Sequence, residues 1–210
     1  MRELVDKNSW ERKDLFNYYD DHTNPFLSTT SIVDVTNIYN YCKQTKNSFY
    51  GTLGFIINNV VNKIDAFKLR KENDNIYVYD TLHANFTENI DDKKIGFFTV
   101  NEVNNYKKFI EEFNKTRQDL FDGKITDVNV QKYDEIWISC EPWFEFNSLS
   151  IPSDKRYTIP VFIWDKFRKE NDKVYINLFV TAHHGFVDGS HLGKFYKNVQ
   201  EEINNFKGDN

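Results

Sequence analysis

Residues 175–195, YINLFVTAHHGFVDGSHLGKF, join a strand pattern to two adjacent histidines and then to the start of a helix. Every second residue from Val174 to Val180 is apolar, which predicts a strand with one face in the core. A Gly-x-x-Asp-Gly turn follows and leads into a segment with helical periodicity. Three of the five histidines of the chain lie within nine residues here. This concentration indicates a functional site at the end of the strand.

The two adjacent histidines, His183 and His184, differ in the direction that they face. Neighbouring side chains of a strand point to opposite sides, so only one of them can readily serve a given site. A strand end that opens into a turn is a common position for a reactive side chain. A histidine at such a position can also be structural, and the dipeptide alone leaves both interpretations open.

The composition of the chain predicts a single domain that spans residues 1–210. The 210 residues are 40% hydrophobic and 17% aromatic, which is enough for a sizeable core. A net charge of −5 gives no basic surface for nucleic acid. The most apolar run, residues 51–64, is interrupted by two asparagines and is shorter than the ~18 residues of a membrane span. We therefore expect a cytoplasmic protein with no membrane or nucleic-acid partner.

The two cysteines of the chain, Cys42 and Cys140, do not indicate a metal site. Neither lies in a C-x-x-C pair or close in sequence to a second thiol or histidine. We therefore expect no metal cofactor.

The periodicity of the chain alternates between helical and strand patterns. Helices are predicted over residues 8–19, 37–46, 48–64, 105–121 and 190–206, and strands over 29–36, 135–139, 157–164 and 173–182, with a hairpin over 66–80. This mixture predicts an α/β (α+β) two-layer sandwich in which helices pack on one side of a mixed β-sheet.

The pattern His-His-x-x-x-Asp-Gly at residues 183–189 resembles the signature of the CoA-dependent acyltransferases. These include chloramphenicol acetyltransferases, dihydrolipoyl acyltransferase cores and the longer condensation domains of peptide synthetases. The segment SWERKDLF, residues 9–16, is similar to the N-terminal motif of the chloramphenicol acetyltransferase family, and ISCEPW, residues 138–143, is similar to its Ser-x-x-Pro-Trp motif. The resemblance runs from about residue 8 to the end, and its implied fold is the same two-layer sandwich.

The resemblance implies a role in acyl transfer for two residues, His184 and Ser139. A hydroxyl is a weak nucleophile at neutral pH and needs a base, for which histidine, with an unperturbed pKa of ~6.5, is suited. By the motif match that base is His184, and His183 is structural. Ser139 would donate a hydrogen bond to the oxyanion of the intermediate. Cys140 is a rival as covalent nucleophile, but neighbours on a strand face opposite ways, so we select Ser139 and direct transfer.

Two further positions are expected to support the site. Asp188 can be read as the acid of a triad with His184, but the resemblance implies instead a buried ion pair between Asp188 and Arg12 that holds the turn in shape. Gly189 is interpreted as the residue that permits a close turn into the last helix. Neither Asp188 nor Arg12 is expected to carry a proton.

Substrate contacts are assigned by the resemblance alone. Tyr19 matches a residue of the acceptor pocket, Tyr50 one near the CoA channel, and Lys166 one near the CoA phosphates; Trp143 closes the ISCEPW motif. Ordinary packing remains the alternative for Tyr19 and Tyr50, and a solvated surface position for Lys166. Ile163, Phe167 and Glu141 depart from the family pattern, which bears on the identity of the acceptor.

The function implied by the resemblance is the O-acetylation of chloramphenicol with acetyl-CoA as co-substrate. The alternatives are the same chemistry on another hydroxyl or thiol acceptor, and a binding protein that keeps the fold without activity. The resemblance also implies a homotrimer with active sites at the subunit interfaces, in which the histidine of one subunit faces a pocket of its neighbour. Tyr19 would lie in that neighbouring pocket.

Overall fold

Ten strands and five α-helices form the part of the chain that the computed structural model describes, residues 1–125 and 132–208. The strands are β1 (Arg2–Leu4), β2 (Phe26–Asp34), β3 (Leu69–Glu72), β4 (Asn75–Tyr79), β5 (His83–Asp91), β6 (Lys94–Val100), β7 (Glu135–Glu141), β8 (Val161–Asp165), β9 (Arg168–Glu170) and β10 (Lys173–His183). The helices are α1 (Lys13–Asp20), α2 (Thr36–Thr45), α3 (Phe49–Asn62), α4 (Tyr106–Phe121) and α5 (Gly189–Asn205), with a 3₁₀ helix at Asp65–Lys68.

Seven strands form the main sheet, in the order β2-β10-β8-β7-β5-β6 with β9 added beside β10. The β5–β7 and β7–β8 pairs are parallel and the other pairs are antiparallel, so the sheet is mixed. A small antiparallel sheet, β1-β4-β3, stands apart from it. The predicted mixed sheet is therefore confirmed.

Helices α2 to α5 cover one face of the main sheet. Ile136 and Ile138 of β7 and Leu178 and Val180 of β10 are fully buried on this face, because alternate residues of each strand point to the same side. Helix α3 packs against α2, α4 and α5 as well as against β5 and β7, and its residues are buried almost all round. The prediction of helices on one side of the sheet is confirmed.

The opposite face of the sheet is covered by the segment that follows β7. Phe146 packs there on Ile163 and Phe179, with Leu149 and Ile151 beside them. Next to this cluster lies a cavity of about 280 Å³, lined among others by Phe26, Trp137, Tyr157, Val161 and Thr181. The cavity thus lies on the face of β10 that does not meet the helices.

The first helix differs from the sequence prediction, and four strands, β1, β5, β6 and β9, were not predicted. Helix α1 begins at Lys13 because the Asp6 side chain accepts hydrogen bonds from the amide of Asn8 (2.9 Å) and the hydroxyl of Ser9 (3.0 Å). These bonds hold residues 6–9 in a turn, so Asn8 and Ser9 do not cap a helix. β5 is mostly polar and β1 and β9 have three residues each, so these three carry no strong strand signal; β6 contains Ile95, Phe97, Phe98 and Val100 but was not predicted.

Candidate active site

The turn between β10 and α5 is fixed by its backbone. The amide of His184 donates to the carbonyl of Pro25 at 2.8 Å, and the amides of Phe186 and Val187 both donate to the carbonyl of His183, at 3.0 and 2.9 Å. These backbone hydrogen bonds give the turn a defined shape. It presents His184 between the end of a central strand and the first turn of a helix.

The imidazole of His184 is held on two sides. Its ring stacks on Tyr19 with the centroids 3.9 Å apart, and its Nδ1 lies 3.2 Å from the carbonyl oxygen of Val187. A carbonyl can only accept a hydrogen bond, so Nδ1 carries the proton and Nε2 keeps its lone pair. This is the tautomer that a general base needs. The side chain is half-buried, so the ring is partly accessible to a reactant.

His183 points to the other side and is only 1% exposed. Its ring stacks on Phe16, and its Nδ1 accepts a hydrogen bond from the amide of Gly185 at 3.2 Å. Burial lowers the pKa of His183 to about 4, so the ring is neutral at physiological pH. The ring of His183 is thus enclosed by the core, whereas the side chain of His184 is only half-buried.

Arg12 and Asp188 are in contact, although 176 residues separate them in sequence. Their Nη1 and Oδ2 atoms are 3.1 Å apart, and Arg12 Nε also donates to the carbonyl of Gly185 at 3.3 Å. The side chains are 26% and 28% exposed, so the expectation of a buried pair is wrong. The pair is partly exposed and joins the N-cap residue of α1 to the N-cap residue of α5.

Asp188 also caps α5. Its Oδ1 accepts hydrogen bonds from the amides of Ser190 and His191, at 3.0 and 3.3 Å. Partial burial raises the pKa of Asp188, but the hydrogen bonds from Ser190 and His191 and the bond from Arg12 outweigh it and hold the pKa well below its usual range. The carboxylate faces these donors rather than the ring of His184, so the triad interpretation finds no support.

The glycine that constrains the turn is Gly185, and the expectation for Gly189 is wrong. Gly189 begins α5 with a negative φ, and a Cβ there would meet nothing within 4 Å. A Cβ at Gly185 would lie 2.9 Å from the backbone Cα of Phe16 and 3.1 Å from Cε1 of His183. Close approach of α1, which the sequence pattern does not reveal, explains why this position must be small.

Ser139 lies far from His184 within one chain. In the sheet Ser139 pairs with Ile163, which pairs with Phe179, five residues before His184. At ~3.3 Å per residue Ser139 and His184 are separated by roughly 17 Å along the strands and by two strand spacings across them. One chain therefore does not bring the two together.

Cys140 faces the side opposite to Ser139, as the alternation of β7 requires. Burial raises the pKa of its thiol to about 12, and the nearby carboxylates of Glu88 and Glu141 act in the same direction. A thiolate at this position is unfavourable near neutral pH. The geometry thus disfavours Cys140 as a covalent nucleophile.

The four predicted substrate contacts fall into three places. Tyr19 contacts the His184 of its own chain. The hydroxyl of Tyr50 lies between β5 and β7, within hydrogen-bonding distance of the carbonyl oxygens of Thr87 (2.8 Å) and Ile138 (3.0 Å). Trp143 and Lys166 are exposed at the end of the sheet that carries Ser139.

Among residues 1–125 and 132–208, no three His, Cys, Asp or Glu side chains are grouped so as to hold a metal ion. Within the same ranges, no helix has the length and apolar character needed to cross a membrane.

The mixed sheet covered by helices, with a half-buried histidine at a strand-to-helix turn, is a fold shared with solved protein structures. A solved catalytic core of a 2-oxoacid dehydrogenase complex from Thermoplasma acidophilum shares the fold, with a TM-score of 0.70, 14% identity and coverage of 97% of this chain and 98% of that chain. At that identity the likeness concerns the fold alone.

Closer relatives identify the family. A solved chloramphenicol acetyltransferase superposes with a TM-score of 0.83 over 97% of this chain and 100% of that one, at 25% identity. A chloramphenicol acetyltransferase from Staphylococcus aureus is 27% identical over 94% of this chain and 93% of its own length. The family model described as chloramphenicol acetyltransferase matches residues 2–200. The chain belongs to the chloramphenicol acetyltransferase family.

Proposed function

We propose that the protein transfers the acetyl group of acetyl-CoA to a hydroxyl of chloramphenicol, with His184 as the general base. Family membership supports this reaction, since the similar proteins bear the name of that activity. The observation that carries the mechanism is the Nδ1 contact of His184 with the carbonyl of Val187, because it leaves Nε2 unprotonated.

The reaction proceeds in two steps. Nε2 of His184 takes the proton of the acceptor hydroxyl while the oxygen attacks the thioester carbon, and the carbonyl oxygen becomes an oxyanion. The hydroxyl of Ser139 donates a hydrogen bond to this oxyanion. When the intermediate collapses, the carbonyl re-forms and the carbon–sulfur bond breaks, which gives the acetyl ester and a CoA thiolate. His184 then returns its proton to the thiolate. No acyl-enzyme forms, so Cys140 has no part in the reaction.

The active site is shared between subunits of a homotrimer. The separation of Ser139 and His184 within one chain supports this arrangement, because a donor and a base must meet at the same thioester. Each site then takes His184 from one subunit and Ser139 from the next, which also shields the reaction from water. Tyr19 belongs with His184, since the two rings stack within one chain.

The remaining residues support the catalytic turn and the sheet or bind acetyl-CoA. Arg12 and Asp188 hold the catalytic turn. Trp143 and Lys166 contribute to the binding of acetyl-CoA from the side of Ser139, and their exposure at that end of the sheet is consistent with this role. Tyr50, whose hydroxyl joins β5 to β7, shapes the sheet at the same end.

The reaction takes place in the cytoplasm, where acetyl-CoA is available. The two cysteines support this location, because Cys42 and Cys140 are both free thiols, as expected in a reducing compartment.

The proposal is tested by following the release of free CoA spectrophotometrically with and without chloramphenicol. Chloramphenicol-dependent release together with an acetyl ester in the product supports it, whereas release only with another hydroxyl or a thiol contradicts the acceptor. The variant His184→Ala is expected to lose roughly 10²-fold or more in kcat because the base is gone. His83→Ala is the control, because its Nδ1 also lies near a carbonyl, that of Asn101, at 2.9 Å, but in a different part of the sheet. Equal turnover of the two variants would overturn the role of His184.

A further inference from the structure

Two buried polar atoms near the catalytic turn face each other without another partner. They are Nε2 of His183 and Oδ1 of Asp20, 3.4 Å apart. Neither makes a hydrogen bond within the described residues that meets ordinary geometry. Unpaired buried polar groups are costly and rare, so the pair calls for a role.

The protonation of His183 decides what this pair can do. The amide of Gly185 donates to Nδ1, so the single proton of the neutral ring is on Nε2 and points to the carboxylate of Asp20. The distance is slightly longer than the usual 2.7–3.2 Å of such a bond, and a small movement of either group would bring it into this range. His183 can therefore link the turn, through Gly185, to Asp20 at the end of α1.

Lys71 holds the other oxygen of Asp20. Its Nζ lies 2.6 Å from Oδ2, and both side chains are mostly buried. Asp20 raises the pKa of His183 and Lys71 lowers it, while burial lowers it most. Without the lysine, the carboxylate would favour a second proton on His183, and a doubly protonated ring cannot accept the bond from Gly185.

The other charged neighbours of His183 do not compete with Asp20. His184 is the next residue and adds a small lowering of the pKa of His183. The guanidinium of Arg70 lines the same narrow gap beside His183. All its described hydrogen bonds go to backbone carbonyls, those of Phe67, Leu69, Tyr133 and Glu135.

We infer that Asp20 is a positioning residue for the catalytic turn: it fixes His183, and through His183 the backbone on both sides of His184, while Lys71 balances its charge. This inference rests on the proposed role of His184 as the base. The turn is then held from two sides, by Arg12 at its outer rim and by the His183–Asp20–Lys71 chain in the core.

The first test needs no substitution. Long-range ¹⁵N–¹H NMR of the histidine-labelled protein distinguishes the two tautomers of each ring, and His183→Gln assigns the signals. We expect His183 to be protonated on Nε2 and His184 on Nδ1. A proton on Nδ1 of His183 would overturn the inference and leave the proposed reaction untouched, because His184 is assayed separately.

The second test compares Asp20→Ala, Asp20→Asn and Lys71→Met. Removing the acceptor in Asp20→Ala should lower kcat roughly tenfold or more with little change in KM, since misplacement of the base acts on the chemical step. Asp20→Asn keeps an acceptor and should recover most of that loss. In Lys71→Met the pKa of His183 should rise. The loss of kcat on acidification should therefore begin at a higher pH than in the natural protein.

The control is Lys63→Met, which breaks an exposed ion pair of the same length, 2.6 Å, with Glu202. It should leave kcat and the pH profile unchanged. A purely structural role of Asp20 would lower the melting temperature of the variants but leave kcat and the pH profile of the folded enzymes as they were. That result would overturn the inference. If Asp20→Ala does not fold, the pH profile of Lys71→Met decides.

Discussion

His183 and His184 are neighbours in sequence and opposites in environment. One ring is buried and accepts a bond from Gly185 at Nδ1; the other is half-buried and directs Nδ1 to the carbonyl of Val187. The same residue type is therefore held in two different tautomers one position apart. The motif predicted that His184 is the base, and the physical reason for its different tautomer is a backbone carbonyl three residues further on, that of Val187.

At the same scale, Ser139 and Cys140 offer a matched pair of substitutions. Ser139→Ala should lower kcat roughly 10²–10³-fold, because an oxyanion donor acts mainly on the transition state. The KM for acetyl-CoA should change little. Cys140→Ala should be mild, since the thiol lies on the opposite side of β7. Steady-state kinetics of both variants, with circular dichroism to check folding, make the comparison. A greater loss in the cysteine variant would favour an acyl-enzyme.

At the scale of elements, α1 and α5 meet through Arg12 and Asp188. Asp188 has two tasks, an ion pair and the N-cap of α5, and a substitution by Ala removes both. Asn is as good a cap as Asp, so Arg12→Met and Asp188→Asn isolate the ion pair. A double-mutant cycle of urea unfolding should give a coupling of ~0.2–1 kcal/mol, the range of partly exposed pairs. Additive losses would mean that the contact contributes nothing.

The pH dependence of this coupling has a defined sign. The pKa of Asp188 is lower in the folded protein than in the unfolded chain. The contribution of the carboxylate is therefore complete above the unfolded value of ~3.9 and is lost as the pH falls toward the folded value. The same cycle should give its full coupling near neutral pH and a smaller one in acid. A coupling that grew in acid would contradict the assignment.

For the whole molecule, the separation of His184 from Ser139 predicts complementation. Co-expressed His184→Ala and Ser139→Ala subunits should mix at random, so that about one quarter of the shared sites hold both intact residues. Purified mixed trimers should therefore recover about a quarter of the natural activity. Light scattering should give about three times 25.1 kDa.

The control for this experiment follows from the stacking of Tyr19 on His184. Mixing His184→Ala with Tyr19→Ala subunits should give only the mean of the two separate activities, because both changes lie in the same half of the site. The expectation that Tyr19 lies across the interface from the His184 of its own chain is thus wrong. An active monomer, or no recovery from the first mixture, would refute the shared site.

The elements whose signal is local follow from the amino-acid sequence alone. The alternation in β10, the stripes of α3, α4 and α5, and the hairpin of β3 and β4 all follow from periods of about two or 3.6 residues. The motif at residues 183–189 predicted the position of the proposed catalytic turn in the same way, because its parts are adjacent in the chain. Strands with polar sequences, such as β5, were not predicted, because their position in the sheet and not their composition makes them strands.

Which distant groups contact that turn depends on the packing of the whole fold. The contacts of Tyr19 with His184, of Asp20 with His183 and of Arg12 with Asp188 join α1 to residues more than 160 positions away. The tight fit at Gly185 has the same origin, since α1 crosses directly over it. No period or spacing encodes such contacts, because they depend on how α1 packs against the end of β10 once the core has formed.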